Sequence, residues 1–161
     1  PSIVQAIPNV RLVCAGRETD TFCSEFTREH PEFSGRVTGL GTVPDLREFW
    51  EQIHIGIAPR RWGGGVKIKL IESWGAGKPT LGTPVATVDI PQDARFHTYV
   101  NRPDDWCAAV RHLVSTPETY AAAAAQAFTF ADAHHTVSVL QMEVANVLKG
   151  VERGTSTGVT S

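Results

Sequence analysis

The sequence predicts an α/β domain: a doubly wound parallel sheet with helices on both faces. Three observations predict it. Short apolar runs alternate with longer stretches of helical periodicity. The order strand, helix, strand, helix repeats along the chain, as a parallel sheet with crossover helices requires. The 161 residues suit one domain, and 42% apolar against 20% charged residues is enough to build a core.

The elements follow in order. Val10–Ala15 (VRLVCA) reads as a buried parallel strand. Thr21–His30 is a helix with Phe22, Phe26 and Cys23 expected on one face, and Pro31 stops it. Arg36–Gly39 is a short strand leading into a loop, Leu40–Pro44. Asp45 is placed to cap a helix over Leu46–Ile53. His54–Ala58 is the next strand, followed by the basic, glycine-rich loop Pro59–Gly65. Val66–Gly75 is helical, and Gly77 is a natural stop before Lys78 and Pro79. Thr80–Thr83 and Phe96–Val100 complete the strands. Helices are predicted over Asp105–Ser115, around the alanine run Ala121–Ala125, and over Ser138–Lys149. Residues 1–150 form the domain, and the polar tail 151–161 is expected to be disordered.

A net charge of −2 argues against a general nucleic-acid binder, which is normally basic. Cys14, Cys23 and Cys107 have neither disulfide-framework nor zinc-site spacing, so a reducing, cytoplasmic setting is expected. No apolar run approaches the ~20 residues of a membrane span, and no signal peptide is evident. The chain opens on Pro1, which marks it as an expected fragment.

Doubly wound sheets bind ligands at the carboxyl ends of their strands. The loops leaving Ala15, Gly39, Ala58 and Thr83 are therefore the places for chemistry. The most informative is the stretch Pro59–Thr83 (PRRWGGGVKIKLIESWGAGKPTLGT). Gly63, Gly64 and Gly65 join a strand to a helix, where glycine permits positive φ and close approach of a ligand. The unpaired N–H groups at the helix start attract an anion. Lys67 and Lys69 near that start oppose the helix dipole, and Arg60 and Arg61 lie just upstream. A bound diphosphate would offset this repulsion. The competing reading is a solvated basic loop whose lysines pair with Glu72 or other surface acids. Glu72 has two readings as well. It could accept hydrogen bonds from a ribose diol, or form an ordinary i, i+3 pair with Lys69.

This stretch resembles the donor-site motif of group 1 (family 4) retaining glycosyltransferases of the GT-B fold. The matching positions are Pro59, Gly63–Gly65, Lys67, Lys69, Glu72, Gly77-Lys78-Pro79 and Thr80–Thr83. Pro8–Gly16 and Val37–Leu46 (VTGLGTVPDL) are similar to flanking segments of the family. The resemblance runs from about Pro8 to Thr87, and more loosely to Lys149. It implies the Rossmann-like C-terminal half of a GT-B enzyme, which binds a nucleotide-diphosphate sugar. It implies that Gly64 and Gly65 meet the diphosphate, that Lys69 or Lys67 neutralises it, and that Glu72 holds the ribose. The loop Gly41, Thr42, Val43 would lie beside the base. No metal or cofactor is implied, because the protein's cations and helix dipole take the metal's part. No catalytic residue is assigned.

The sequence departs from the family in two ways. Many members carry an earlier glutamate, which would fall at Gly64. The domain's usual first strand and helix, which bring further cations to the diphosphate, have no counterpart here, nor does the N-terminal acceptor domain. The partners expected are thus the donor and that missing domain, with no nucleic acid, and with membrane association only through the missing half. The fragment alone is expected to be inactive. Two other functions compete: a non-catalytic nucleotide- or phosphate-binding module, and a doubly wound interaction domain without ligand. Elsewhere, His97, adjacent His134 and His135, and Asp104 with Asp105 read as structural. Trp62 reads as loop packing or as a stacking surface. Trp50, Trp74 and Trp106 read as core or interdomain surface.

Overall fold

The computed structural model describes residues 2–62, 68–86, 90, 94–142 and 144–146. Its elements are α1 (Ser2–Ala6), β1 (Leu12–Cys14), α2 (Thr19–Glu29), β2 (Val37–Gly39), α3 (Leu46–Glu51) and β3 (Gly56–Ala58). They continue with α4 (Ile68–Gly75), β4 (Thr80–Gly82), β5 (His97–Tyr99), α5 (Pro103–Leu113) and α6 (Pro117–His134). Each predicted strand is present, trimmed at its ends. The short α1, which the sequence pattern did not reveal, packs against α5.

Several boundaries have the physical causes expected of them. The Asp45 carboxylate accepts from Arg47 N at 2.9 Å and starts α3. The guanidinium of Arg47 beside it holds the Asp45 pKa below its usual value. Pro31 ends α2 and opens a single 3-10 turn. At the end of α4, Gly77 takes φ +66°, Gly77 N donates to Trp74 O at 2.8 Å, and Lys78 N to Ser73 O at 2.8 Å. Those bonds form a Schellman cap, which favours glycine at the left-handed position. Asp105 accepts from Arg102 N at 3.0 Å, so the Asp104-Asp105 pair contributes a cap to α5.

All strand pairings are parallel, and helices cover both sides. The strands nevertheless form two ladders, in the orders β1-β2 and β3-β4-β5. The single sheet expected to hold both Val10–Ala15 and His54–Ala58 is broken between β1 and β3. Hydrogen bonds show which edges are used. Leu12 N donates to Arg36 O at 2.7 Å, and Cys14 O accepts from Leu40 N at 2.9 Å, both toward β2. Gly56 N donates to Pro79 O at 3.0 Å, and Ala58 O accepts from Thr83 N at 3.3 Å, both toward β4. Successive residues of a strand in a parallel ladder bond to opposite sides. Val13 and Ile57 therefore turn their backbone groups to edges that carry no ladder among the described residues. Ile57 is 44% exposed, whereas Leu81 on the doubly paired β4 is fully buried.

Two apolar clusters form the core. Leu70 and Trp74 of α4 pack with Phe96, Ala127 and Ala131, and Phe130 closes over them. Leu81, Val100, Ala109, Leu113 and Ala123 form the second. Ala123, Ala127 and Ala131 lie four apart on one face of α6, so the alanine-rich helix supplies a smooth wall against α4 and the sheet. Cys23 is buried on α2, but Phe22 is 63% exposed and does not join it. No disulfide joins Cys14, Cys23 and Cys107. The predicted last helix is helical at 137–142 and 144–146, with Leu140 and Val144 largely exposed. Residues 147–149 and the tail expected at 151–161 lie outside the described residues.

Candidate functional site

The carboxyl ends of the strands are tied together in pairs. At β1 and β2, Gly16 N donates to Gly41 O at 2.7 Å, and Gly41 N donates to Thr19 Oγ1 at 3.1 Å. Gly41 adopts φ +63°, a left-handed conformation that suits glycine. Thr42 beside it is exposed and Val43 half-buried. At β3 and β4, Thr83 Oγ1 donates to Arg60 O, and Arg60 N donates to Ala58 O at 2.9 Å. Pro59, Arg60, Arg61 and Trp62 line a shallow open depression there, and Trp62 is 79% exposed rather than packed into the loop.

Lys69 lies near enough to the end of β1 to be felt there electrostatically. It is the second residue of α4, exposed, and its ammonium acts electrostatically on the thiol of Cys14 at the end of β1. Burial and the neighbouring Cys23 thiol outweigh that cation and push the Cys14 pKa up to about 11. The thiol therefore stays protonated at neutral pH and offers Lys69 no counter-charge. Glu72, three residues further on α4, is half-buried. Among the described residues, ion pairs form only at His30–Glu32 and Asp45–Arg47. The Lys69–Glu72 pair that would have explained both residues is not made. Gly63, Gly64, Gly65 and Lys67 lie outside the described residues.

The back of α4 is fixed by a buried polar chain. Trp74 Nε1 donates to Thr80 Oγ1 at 2.8 Å, and Thr80 Oγ1 meets His97 Nδ1 at 2.6 Å. His97 is 5% exposed, and its Nε2 has no partner among the described residues. Burial lowers its pKa to about 4, so the ring is neutral near pH 7. His97 thus has the structural role expected of it. Trp74 is core, Trp106 packs against the second cluster, and Trp50 is half-buried. His134 and His135 stay exposed beside Phe130.

Thr19 went unnoticed in the sequence, although it joins the turn after β1 to the loop after β2. The available signal was a glycine soon after each of those strands, Gly16 and Gly41, which marks two tight turns able to meet. Among the described residues, these strand ends and α4 offer an exposed cation without a counter-ion, a half-buried carboxylate and a loop that turns through Gly41. A phosphorylated, hydroxyl-bearing ligand would find in that set a positive charge and hydrogen-bond acceptors. No cluster of His, Cys, Asp and Glu among the described residues could hold a metal ion, and no described helix is long and apolar enough to cross a membrane.

Comparison with known proteins gives the relatives of this arrangement. Residues 1–116 match the family model for glycosyl transferases group 1. Among curated proteins, no sequence matches. Among solved structures, sucrose-phosphate synthase from Thermosynechococcus elongatus superposes with a TM-score of 0.74 at 13% identity, over 95% of this chain and 41% of its own. Anabaena HepE, solved in complex with UDP, gives 0.71 at 17% identity, over 92% of this chain and 43% of its own. The C-terminal domain of LpcC, a glycosyl transferase group 1 family protein from Francisella tularensis, gives 0.66 at 12% identity, over 84% and 75%. The chain thus spans about two fifths of the first two structures. The chain belongs to the group 1 glycosyl transferases, and its fold is that of the Rossmann-like domains of the GT-B architecture.

Proposed function

We propose that this chain is the donor-binding half of a glycosyltransferase that moves a sugar from a nucleotide-diphosphate sugar to an acceptor. The transfer retains anomeric configuration and needs no metal. The observation that carries the reading is Lys69: an exposed cation at the start of α4, beside the carboxyl end of β1, with no anionic partner among the described residues. A diphosphate seated at the helix start would supply that partner, with Gly63–Gly65 approaching its oxygens and Lys67 adding charge. Glu72, free of Lys69, would accept from the ribose, and Gly41–Val43 would flank the base. HepE binds UDP on a similar fold, which supports a nucleotide here. The open edges of β1 and β3 support one further part of the reading, that the domain's first strand lies outside these residues and fits between them. The acceptor domain would complete the protein, and these residues alone would not transfer sugar.

Calorimetry of the full-length polypeptide against a panel of nucleoside diphosphates and nucleosides tests this. Lys69→Ala should weaken a diphosphate more than the matching nucleoside, because only the phosphates feel that charge. Glu72→Ala should weaken both by a similar factor. Each lost charged hydrogen bond should cost about 1.5–3 kcal/mol, roughly ten- to hundredfold in affinity. Unchanged affinities in Glu72→Ala would remove the ribose assignment. A wild-type protein that binds none of the panel would remove the donor site altogether.

A further inference from the structure

We propose that Thr19 is a positioning residue of the donor site, its hydroxyl holding the Gly41–Val43 loop in the conformation that meets the base. This rests on the donor-site reading above. Three hydrogen bonds close a ring across two strand ends. Gly16 N donates to Gly41 O at 2.7 Å, Gly41 N donates to Thr19 Oγ1 at 3.1 Å, and Thr19 Oγ1 donates to Gly16 O at 2.8 Å. The hydroxyl also lies 3.2 Å from Cys14 O, on the strand itself.

The ring has one side chain in it, and only a hydroxyl can both accept from Gly41 and donate to Gly16 at that point. Thr19 is the first residue of α2, one place beyond the N-cap, the position whose side chain usually serves its own helix. Here Glu18 takes φ 65° and ψ 5°, makes no side-chain cap, and turns the chain so that the Thr19 hydroxyl faces the strand ends. A non-glycine residue in that left-handed conformation costs energy, so the surrounding bonds must hold it there. The backbone fits just as closely. A Cβ on Gly39 would lie 1.9 Å from Thr19 O, so the end of β2 rests directly on the first turn of α2. Gly16 at φ +127° and Gly41 at φ +63° take conformations that suit glycine, which lets the turn and the loop meet at this ring. Phosphate-binding residues on α4 are not part of the ring, so the clasp should govern base contact and leave diphosphate contact alone.

The experiment uses the full-length polypeptide with Thr19→Val, which keeps the shape and removes the hydroxyl, and Thr19→Ser, which restores it. Thr19→Ala reads the same loss should the valine variant fail to fold. Hydrogen exchange of the Gly41 amide, without ligand, reports on the clasp itself. Thr19→Val should speed that exchange by roughly tenfold or more, and Thr19→Ser should bring it back. Calorimetry then compares nucleoside diphosphates with inorganic pyrophosphate. The valine variant should weaken the nucleotides by roughly tenfold while leaving pyrophosphate unchanged, and serine should rescue. Equal weakening of pyrophosphate, or unchanged nucleotide affinity with fast Gly41 exchange, would overturn the positioning role. Unchanged Gly41 exchange would overturn the clasp. A wild-type protein that binds no nucleotide at all would instead overturn the donor-site reading, and the positioning role with it.

Discussion

His97 lets the buried chain behind α4 be tested by pH. Its native pKa is lowered to about 4 by burial, against 6.5 for the unfolded residue. Between those values the unfolded chain binds the proton and the native fold does not, so stability present above about pH 6.5 is lost as pH falls. The loss should approach about 3 kcal/mol by pH 4, at roughly 1.4 kcal/mol per pH unit. Thermal melts across that range should show the fall, and His97→Gln should flatten it. A slope that persists in the variant would assign the titration elsewhere. Nothing in the sequence disclosed this environment, because a histidine on a strand reads the same whether Thr80 reaches it or not. Gly39 was equally opaque, since its need for glycine arises only where β2 meets Thr19. The Asp45 cap and the Gly77 stop were legible, because each serves a helix next to it in sequence. The candidate site divides along the same line. The Lys69 and Glu72 positions follow from local sequence, while the missing ion pair between them and the Thr19 clasp depend on tertiary geometry.

Among the elements, α6 shows how a compositional signal carried more than it announced. The alanine run predicted a helix through propensity alone. In the fold, Ala123, Ala127 and Ala131 are buried along one face, and α6 lies against α4. Small side chains there let α6 pack close, so α4 is seated by α6 on one side and by Trp74–Thr80–His97 on another. Ala127 is fully buried. Ala127→Leu should therefore overpack the interface and destabilise the protein by about 1–3 kcal/mol, whereas Ala121→Leu on the exposed face should be nearly neutral. Urea melts of both variants would check this, and equal stability would mean that α6 does not fix α4. The strands were legible in number and order because their apolar runs are short and bounded. Phe22 shows where periodicity stops short: it outlines a helix face without telling whether a neighbour will cover it.

At the scale of the whole molecule, the missing information is which strand neighbours which. Apolar runs cannot reveal a break between β1 and β3, because pairing partners are set by tertiary arrangement and not by local pattern. The break has a measurable consequence. Leu12, Cys14, Gly56 and Ala58 direct their backbone bonds to β2 and β4, so Val13 and Ile57 present groups that no strand pairs among the described residues. Unpaired strand edges are exposed to water and to unwanted pairing. If a further strand of the polypeptide fits between them, the Val13 and Ile57 amides should exchange with solvent quickly in the 161-residue chain. They should be strongly protected in the full-length protein, by about as much as the Leu81 amide in the doubly paired β4. The full-length protein should also melt higher, since closing the sheet buries Ile57, which is 44% exposed here. Protection of Leu81 should change little between the two, which separates local edge closure from a general gain in stability. Should Val13 and Ile57 exchange equally fast in both, the two ladders would be a true feature of the domain, and the proposal of a central strand supplied from outside these residues would fall.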